Sequence, residues 1–135
     1  MRKTWFVLAL VLGTVALTGV ACGSSDEEES ASPTEAVAEI DQIAAMLDEG
    51  LAQYRSGDKE AADTTVGDAY LEHFEKVEDP LGEQDHELME DLEHQISTEI
   101  RDEMKNDAPA DEVAKLISDT KTDLDLAKAK LQEAE

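Results

Sequence analysis

Apolar residues recur every three or four positions from residue 33 onward, which is the spacing that keeps one face of an α-helix apolar. The first such run follows Ser32, whose side chain can cap a helix, and Pro33, which suits a first helical position. Glu35 completes a capping box with Ser32, and Gly57 is a residue that often ends a helix. We therefore predict a first helix between Ser32 and Gly57. Its apolar seam comprises Val37, Ile40, Ala44, Leu47, Leu51 and Tyr54, with Ile43 beside it.

Three further helices follow, separated by short breaks. The second is capped by Asp58 and stopped by the Asp-Pro-Leu-Gly sequence at 79–82, and the third begins at about Glu83. Asn-Asp-Ala-Pro at 106–109 ends the third, and no segment has the alternation of a β-strand. Short connections favour antiparallel neighbours, so we predict an all-α fold: an antiparallel up-down-up-down four-helix bundle spanning residues 33–135. The fourth helix has apolar or small residues at intervals of 4, 3, 4, 3 and 4, namely Val113, Ile117, Thr120, Leu124, Ala127 and Leu131.

The first 21 residues have the pattern of an export signal. Arg2 and Lys3 precede an uncharged apolar stretch, and small residues lead to Cys22. The sequence Leu-Thr-Gly-Val-Ala-Cys at 17–22 resembles a bacterial lipobox, in which the cysteine is acylated and becomes the new N-terminus. We therefore predict a lipoprotein signal peptide at 1–21, palmitate and related acyl chains on Cys22, and a flexible acidic tether at 22–32. The alternative is an ordinary secreted protein that carries a free thiol.

The charge of the chain limits its partners. The full sequence has 11 Lys and Arg against 34 Asp and Glu, a formal net charge of -23. Removal of residues 1–21 takes away two basic residues and no acid, which leaves 9 minus 34, or -25. Phosphate binding needs a basic surface, so we predict no nucleic-acid partner. An anionic membrane also repels this charge, and the tether at 22–32 would hold the folded part away from it.

Acidic residues crowd the middle of the second helix. On a helical wheel, Tyr70 and Phe74 lie on the core side, while Asp68, Glu72, Glu75 and Asp79 point outward, as on an ordinary solvated face. Glu78 and His73 lie at the two edges of the buried stripe, and Glu93 lies at the edge of the third helix's stripe.

Other chemistry is less well supported by the pattern. His86, Glu90 and His94 are spaced by four on the third helix and could chelate a transition metal, but they fall on a face that is otherwise a solvated surface. A di-iron bundle needs two inward Glu-x-x-His pairs, and the chain has one, at Glu83 and His86. No Ser lies beside a His with an orienting acid, so we predict that the protein is not an enzyme.

The chain from about residue 50 to about residue 131 resembles the extracytoplasmic helical domain of bacterial oxidase-dependent iron permeases. The matching positions are Tyr54, Gly57, Asp58, Ala69, Tyr70, Phe74, Glu75, Glu78, Leu92 and Glu93. The membrane helices of those permeases, with their Arg-Glu-x-x-Glu motifs, have no counterpart in the sequence. The resemblance therefore implies a lipid-anchored relative of an accessory domain and not a transporter.

Two functions remain open from the sequence. The first is a lipid-anchored accessory or binding protein on the outer face of the cell membrane that handles iron or another divalent or trivalent cation. Its candidate metal ligands are Glu75, Glu78 and Glu93, since carboxylate oxygens suit hard cations, with His86 as a weaker candidate. No other cofactor is expected. The second is a lipoprotein without a metal that docks a membrane or cell-envelope protein partner.

Overall fold

The computed structural model describes residues 31–134, which form four helices and contain no β-strand. The predicted all-α fold class is thus confirmed. The signal peptide at 1–21, Cys22 and most of the tether lie outside the described residues. Helix α1 is Pro33–Ser56 and α4 is Ala110–Glu133. Helix α2 runs from Lys59 to Gln84 and consists of Lys59–Asp68, a π-helical turn Ala69–Phe74, and Glu75–Gln84. Helix α3 runs from His86 to Lys105 and consists of His86–His94, a π-helical turn Gln95–Glu99, and Ile100–Lys105.

The ends of α1 follow the sequence signals. The backbone N–H of Ser32 donates to Oε2 of Glu35 at 2.9 Å, and the backbone N–H of Glu35 donates to Oγ of Ser32 at 3.4 Å. This reciprocal pair is the predicted capping box, and it satisfies donors that have no partner within the helix. Gly57 ends the helix with a φ of 90°, a left-handed conformation that glycine adopts without steric cost. The predicted bounds of α1 are confirmed.

The predicted end of α2 at 79–82 is wrong. Pro80 is buried inside the helix, which continues to Gln84. The break comes at Asp85, whose backbone is extended and whose carboxylate accepts a hydrogen bond from the Leu88 N–H at 3.1 Å. Because Asp85 caps α3, the third helix begins at His86 rather than near Glu83. The burial of Pro80 and Leu81 against the core offsets the backbone hydrogen bond that a proline removes.

The π-helical turn of α2 corrects the phase of its buried residues. Ala69 and Phe74 are both fully buried although they are five positions apart. Five residues advance a regular α-helix by about 500°, or about 140° past a full turn, which would turn Phe74 away from the core. A π-helical turn absorbs one extra residue and keeps both side chains inside. The stripe that results is Ala62, Val66, Ala69, Phe74, Val77 and Leu81.

In helix α3, too, a regular α-helix would not keep all buried residues on one face. Its buried residues are spaced by four throughout, and each step of four exceeds one α-helical turn by about 40°. Over four such steps the buried stripe would rotate around the helix by about 160°. The π-helical turn Gln95–Glu99 accommodates one extra residue and so cancels about 100° of this rotation. The two π-helical turns contact each other across the α2–α3 interface. The buried residues of α3 are Leu88, Leu92, Ile96, Ile100 and Met104.

One hydrophobic core lies among the four helices. Helix α1 contacts α2 and α4, and α3 contacts the same two helices. The predicted seam of α4 is buried at every position from Val113 to Leu131. In α1 the buried face is rotated slightly from the predicted seam, because Gly50 lets Val66 of α2 approach closely; a Cβ atom at Gly50 would lie 2.9 Å from Cγ2 of Val66. The fully buried positions of α1 are therefore Ala36, Ile40, Ile43, Leu47, Gly50 and Tyr54.

The α3–α4 connection is tied to α1 and α2. The Tyr54 hydroxyl donates to the carbonyl oxygen of Ala108 at 2.7 Å. Lys59 pairs with Asp107 and places its ammonium 5.5 Å from the centre of the Tyr54 ring. These contacts hold one end of the helices together and account for the burial of Tyr54.

Ion pairs connect the helix edges. Eight of the nine Lys and Arg side chains in residues 31–134 lie within 4 Å of a carboxylate. Arg101 and Lys105 of α3 both pair with Asp63 of α2. The Arg101 guanidinium also packs over Gly67, one helical turn after Asp63. Each exposed pair contributes less than about 1 kcal/mol to stability. The pairs that join α4 to other helices are Lys121–Asp48, Lys128–Asp41 and Lys130–Asp85.

Candidate functional site

Tyr70 and Glu78 form the centre of the first candidate site, on the side of α2 that faces α3. Tyr70 lies in the π-helical turn, half-buried, with its ring stacked on Phe74 at a centroid distance of 6.1 Å. Its hydroxyl and the Glu78 carboxyl interact electrostatically. Oε1 of Glu78 is sealed from solvent and has no hydrogen-bond partner among the described residues. The Glu78 carboxyl therefore has one oxygen that neither solvent nor a described residue satisfies.

The electrostatics of the pair follow from burial and from neighbouring acids. Burial raises the pKa of Glu78, the contact with Tyr70 lowers it, and Glu93, Glu75 and Asp79 raise it again, so that the net change is upward. Burial and the charges of Glu78 and Glu93 raise the pKa of Tyr70 to about 12. The site is thus a partly buried carboxyl and phenol surrounded by acids.

The three predicted ligands lie in one region but differ in exposure. Glu78 and Glu93 are half-buried and face each other from α2 and α3, whereas Glu75 is exposed. All three act on the Tyr70 hydroxyl. Within residues 31–134, no group of three or more His, Cys, Asp and Glu side chains is arranged closely enough to hold a metal ion. The set Glu75, Glu78 and Glu93 remains a prediction.

Tyr70 is the residue that the sequence reasoning assigned to the core alone. A regular wheel puts Tyr70 in line with Val66 and Phe74, but the π-helical turn gives the fully buried position to Ala69 and leaves Tyr70 at the margin. The signal was present in the sequence as the five-residue step from Ala69 to Phe74.

His73, at the other edge of α2, belongs to a separate contact with α1. Its Nδ1 lies 2.5 Å from Oε2 of Glu39, and Lys76 donates to Oε1 of the same carboxylate at 3.1 Å. Burial opposes ionisation of Glu39, yet these two hydrogen bonds prevail and lower its pKa. His73 and Glu78 therefore face different helices, so they do not form one site.

The alternative chelate on α3 is an exposed surface. Nε2 of His86 lies 3.4 Å from Glu90, and Nε2 of His94 lies 3.7 Å from Glu99. More than 60% of the side-chain surface of His86, Glu90 and His94 is open to solvent. Glu78 and His86 both line a cleft of about 330 Å³, whose other lining residues are Asp79, Gly82, Glu83 and Met89.

A second candidate surface lies between α3 and the first turns of α4. It is a groove of about 570 Å³ lined by both polar and apolar side chains. Four of the lining side chains are carboxylates, and none of these four pairs with a Lys or Arg within the described part of the chain. The lining residues are His94, Thr98, Glu99, Asp102, Glu103, Asn106, Glu112 and Leu116.

No protein-family model matches the chain, and no curated protein or solved structure is significantly similar to it. Of the helices in residues 31–134, none combines the length and the apolar character that a membrane span requires. The two candidate surfaces therefore rest on their own geometry and charge.

Proposed function

We propose that the protein is a lipid-anchored, non-enzymatic accessory or binding protein on the outer face of the cell membrane. Residues 1–21 are its signal peptide, acylated Cys22 is its anchor, residues 22–32 are its tether, and an antiparallel up-down-up-down bundle of four helices from residue 33 to 135 is its working part. The short connections between α1 and α2 and between α3 and α4 support this helix order. Acyl chains contribute about 0.8 kcal/mol per buried CH₂, so two or three on one cysteine suffice for stable anchoring.

The first proposed activity is the binding of iron or another hard divalent or trivalent cation at the α2–α3 edge. The observation that supports it is an oxygen of the half-buried Glu78 that lacks a hydrogen-bond partner among the described residues. Glu93 and Glu75 lie near enough to act electrostatically on the neighbouring Tyr70 hydroxyl. A cation would satisfy that oxygen and relieve the repulsion between Glu78 and Glu93. Glu75 is exposed, and its side chain would have to rotate toward the pair to complete the ligand set, because no three such side chains are close enough in the described residues.

Calorimetric titration of the soluble domain, residues 31–135, with ferric, ferrous, manganese and calcium ions tests this activity. We expect saturable binding tighter than about millimolar, and its loss in the variant Glu75→Gln/Glu78→Gln/Glu93→Gln. The matched control is Glu49→Gln/Glu60→Gln/Glu72→Gln, which removes the same charge from exposed positions. Equal affinities in the two variants would exclude the α2–α3 edge as the binding site.

The second proposed activity is docking of a basic cell-envelope protein, and a separate observation supports it. Eight of the nine Lys and Arg side chains in residues 31–134 are engaged in ion pairs, mostly between helices, while the acids of the α3–α4 groove have no Lys or Arg partner there. Crosslinking in intact membranes should recover one dominant partner, and the yield should be unchanged by chelators. Recovery that depends on added metal would favour the first activity instead.

The anchor has an independent test. The substitution Cys22→Ser should leave the signal uncleaved by lipoprotein processing and prevent acylation. We expect loss of fatty-acid labelling and a changed electrophoretic mobility. Retention of both the label and the mature mobility would show that Cys22 is not the attachment point.

A further inference from the structure

The groove between α3 and α4 differs from the other helix edges in its charge balance. On α3 both basic residues turn away from it, because Arg101 and Lys105 contact Asp63 of α2. On α4 the nearest lysine, Lys115, pairs with Asp119 along its own helix at 2.5 Å. The four carboxylates of the groove thus have no Lys or Arg partner within residues 31–134, and only His94 lies near one of them, 3.7 Å from Glu99, although the other interhelical edges have lysine or arginine at carboxylates.

The shape of the groove restricts what can occupy it. It is about 570 Å³ in volume, and Leu116, which packs against the core while still partly exposed, contributes an apolar wall. Thr98 and Asn106 add hydrogen-bonding groups that carry no charge. A concave surface with an apolar wall and an acidic rim fits a short peptide segment that carries one apolar side chain between cationic ones.

Charge decides among the macromolecules that could bind there. A second copy of this chain would bring a formal charge of the same sign, and an anionic membrane surface would also be repelled. A Lys- and Arg-rich segment would be attracted and would find its charges matched by Glu99, Asp102, Glu103 and Glu112.

We propose that the α3–α4 groove, from His94 to Leu116, is a docking surface for a Lys- and Arg-rich segment of a partner protein. This inference rests on the second proposed activity and locates it on the molecule. The α2–α3 edge around Tyr70 is a separate surface and does not contribute to docking.

Fluorescence anisotropy with a labelled synthetic peptide of about 12 residues, built from Lys, Arg and Leu, tests the location. The groove variant is Asp102→Asn/Glu103→Gln/Glu112→Gln, and the control is Glu49→Gln/Glu60→Gln/Glu72→Gln on α1 and α2. Both variants remove three negative charges from exposed positions, so they have the same net charge. At physiological ionic strength the Debye length is about 8 Å, and distant charges contribute little to the affinity.

We expect the groove variant to bind the peptide at least about tenfold more weakly and the control variant to change the affinity less than about twofold. Circular dichroism should show the same helix content in both variants, because the substitutions lie on exposed side chains. Equal weakening in the two variants would overturn the location while leaving a diffuse docking of basic partners intact. Absence of saturable binding to the parent protein would overturn the docking activity itself.

Discussion

The π-helical turn of α2 can be tested by deleting Leu71. Leu71 lies within the turn and is 59% exposed, so its removal sacrifices little apolar burial. The deletion changes the step from Ala69 to Phe74 from five residues to four. The buried stripe from Ala62 to Leu81 then has steps of 4, 3, 4, 3 and 4, which a regular α-helix keeps on one face. We expect the variant to fold with a regular α2 and to lose less than about 1.5 kcal/mol of stability.

The matched control is deletion of Ala45, an exposed residue in the middle of α1. There is no π-helical turn at that point to absorb the change, so everything beyond it rotates by about 100°. Leu47 and Tyr54 would leave the core, at about 1.5 to 3 kcal/mol each, and the Tyr54–Ala108 hydrogen bond would be lost at about 1 kcal/mol. The total approaches the 5 to 15 kcal/mol by which a small domain is stable.

Urea unfolding followed by far-ultraviolet circular dichroism measures both variants against the parent domain. The expected order of stability is parent, then the Leu71 deletion, with the Ala45 deletion far below or unfolded. If deletion of Leu71 destabilises the domain as much as deletion of Ala45, the turn does not serve to correct the helix phase, and the explanation of the buried stripe fails.

Three further changes test the packing and the charges. Gly50→Ala should destabilise the domain by about 1 kcal/mol in chemical unfolding, since overpacking against Val66 outweighs the better helix propensity of alanine. In the Val66→Ala background the same substitution should cost less, because the clash is removed, so the two substitutions should show a favourable coupling energy. Asp63→Asn should cost about 1 to 2 kcal/mol near pH 7. Because Arg101 lowers the pKa of Asp63, this cost should shrink as pH falls through the lowered value. Glu78→Gln should stabilise the domain at pH 7, because the raised pKa of Glu78 makes the parent lose stability as pH rises above about 4.5. The melting temperature of the variant should therefore depend less on pH in that range than the melting temperature of the parent. An unchanged pH profile would contradict the assignment.

The sequence predicted much of the helical frame from local signals. The capping box at Ser32, the glycine end at Gly57 and the seam of α4 follow from interactions within about one or two turns, so a single sequence contains them. The proline at position 80 misled the prediction because its cost to a helix is local, whereas the burial that offsets it comes from other helices.

The candidate site was less accessible to sequence reasoning. The wheel placed Glu78 and Glu93 at the edges of their stripes, and the structure brings them together across α2 and α3. It could not place Tyr70, because a wheel assumes a constant 100° per residue and the turn Ala69–Phe74 breaks that assumption. The uncompensated charge of the α3–α4 groove was also hidden, since pairing partners such as Asp63 and Arg101 are 38 positions apart.

The sequence by itself determined the helical character of residues 33–133, most helix ends and the strongly acidic charge, because each depends on composition or on neighbours a few residues away. Only the tertiary structure decided which acids are neutralised, where the two helices deviate into π-helical turns, and which side of α2 carries a constrained carboxyl. These features depend on the fit between helices. A side chain that a regular helix would turn out of the core is kept inside by a π-helical turn, and most lysines of residues 31–134 pair with carboxylates that helix packing brings near them.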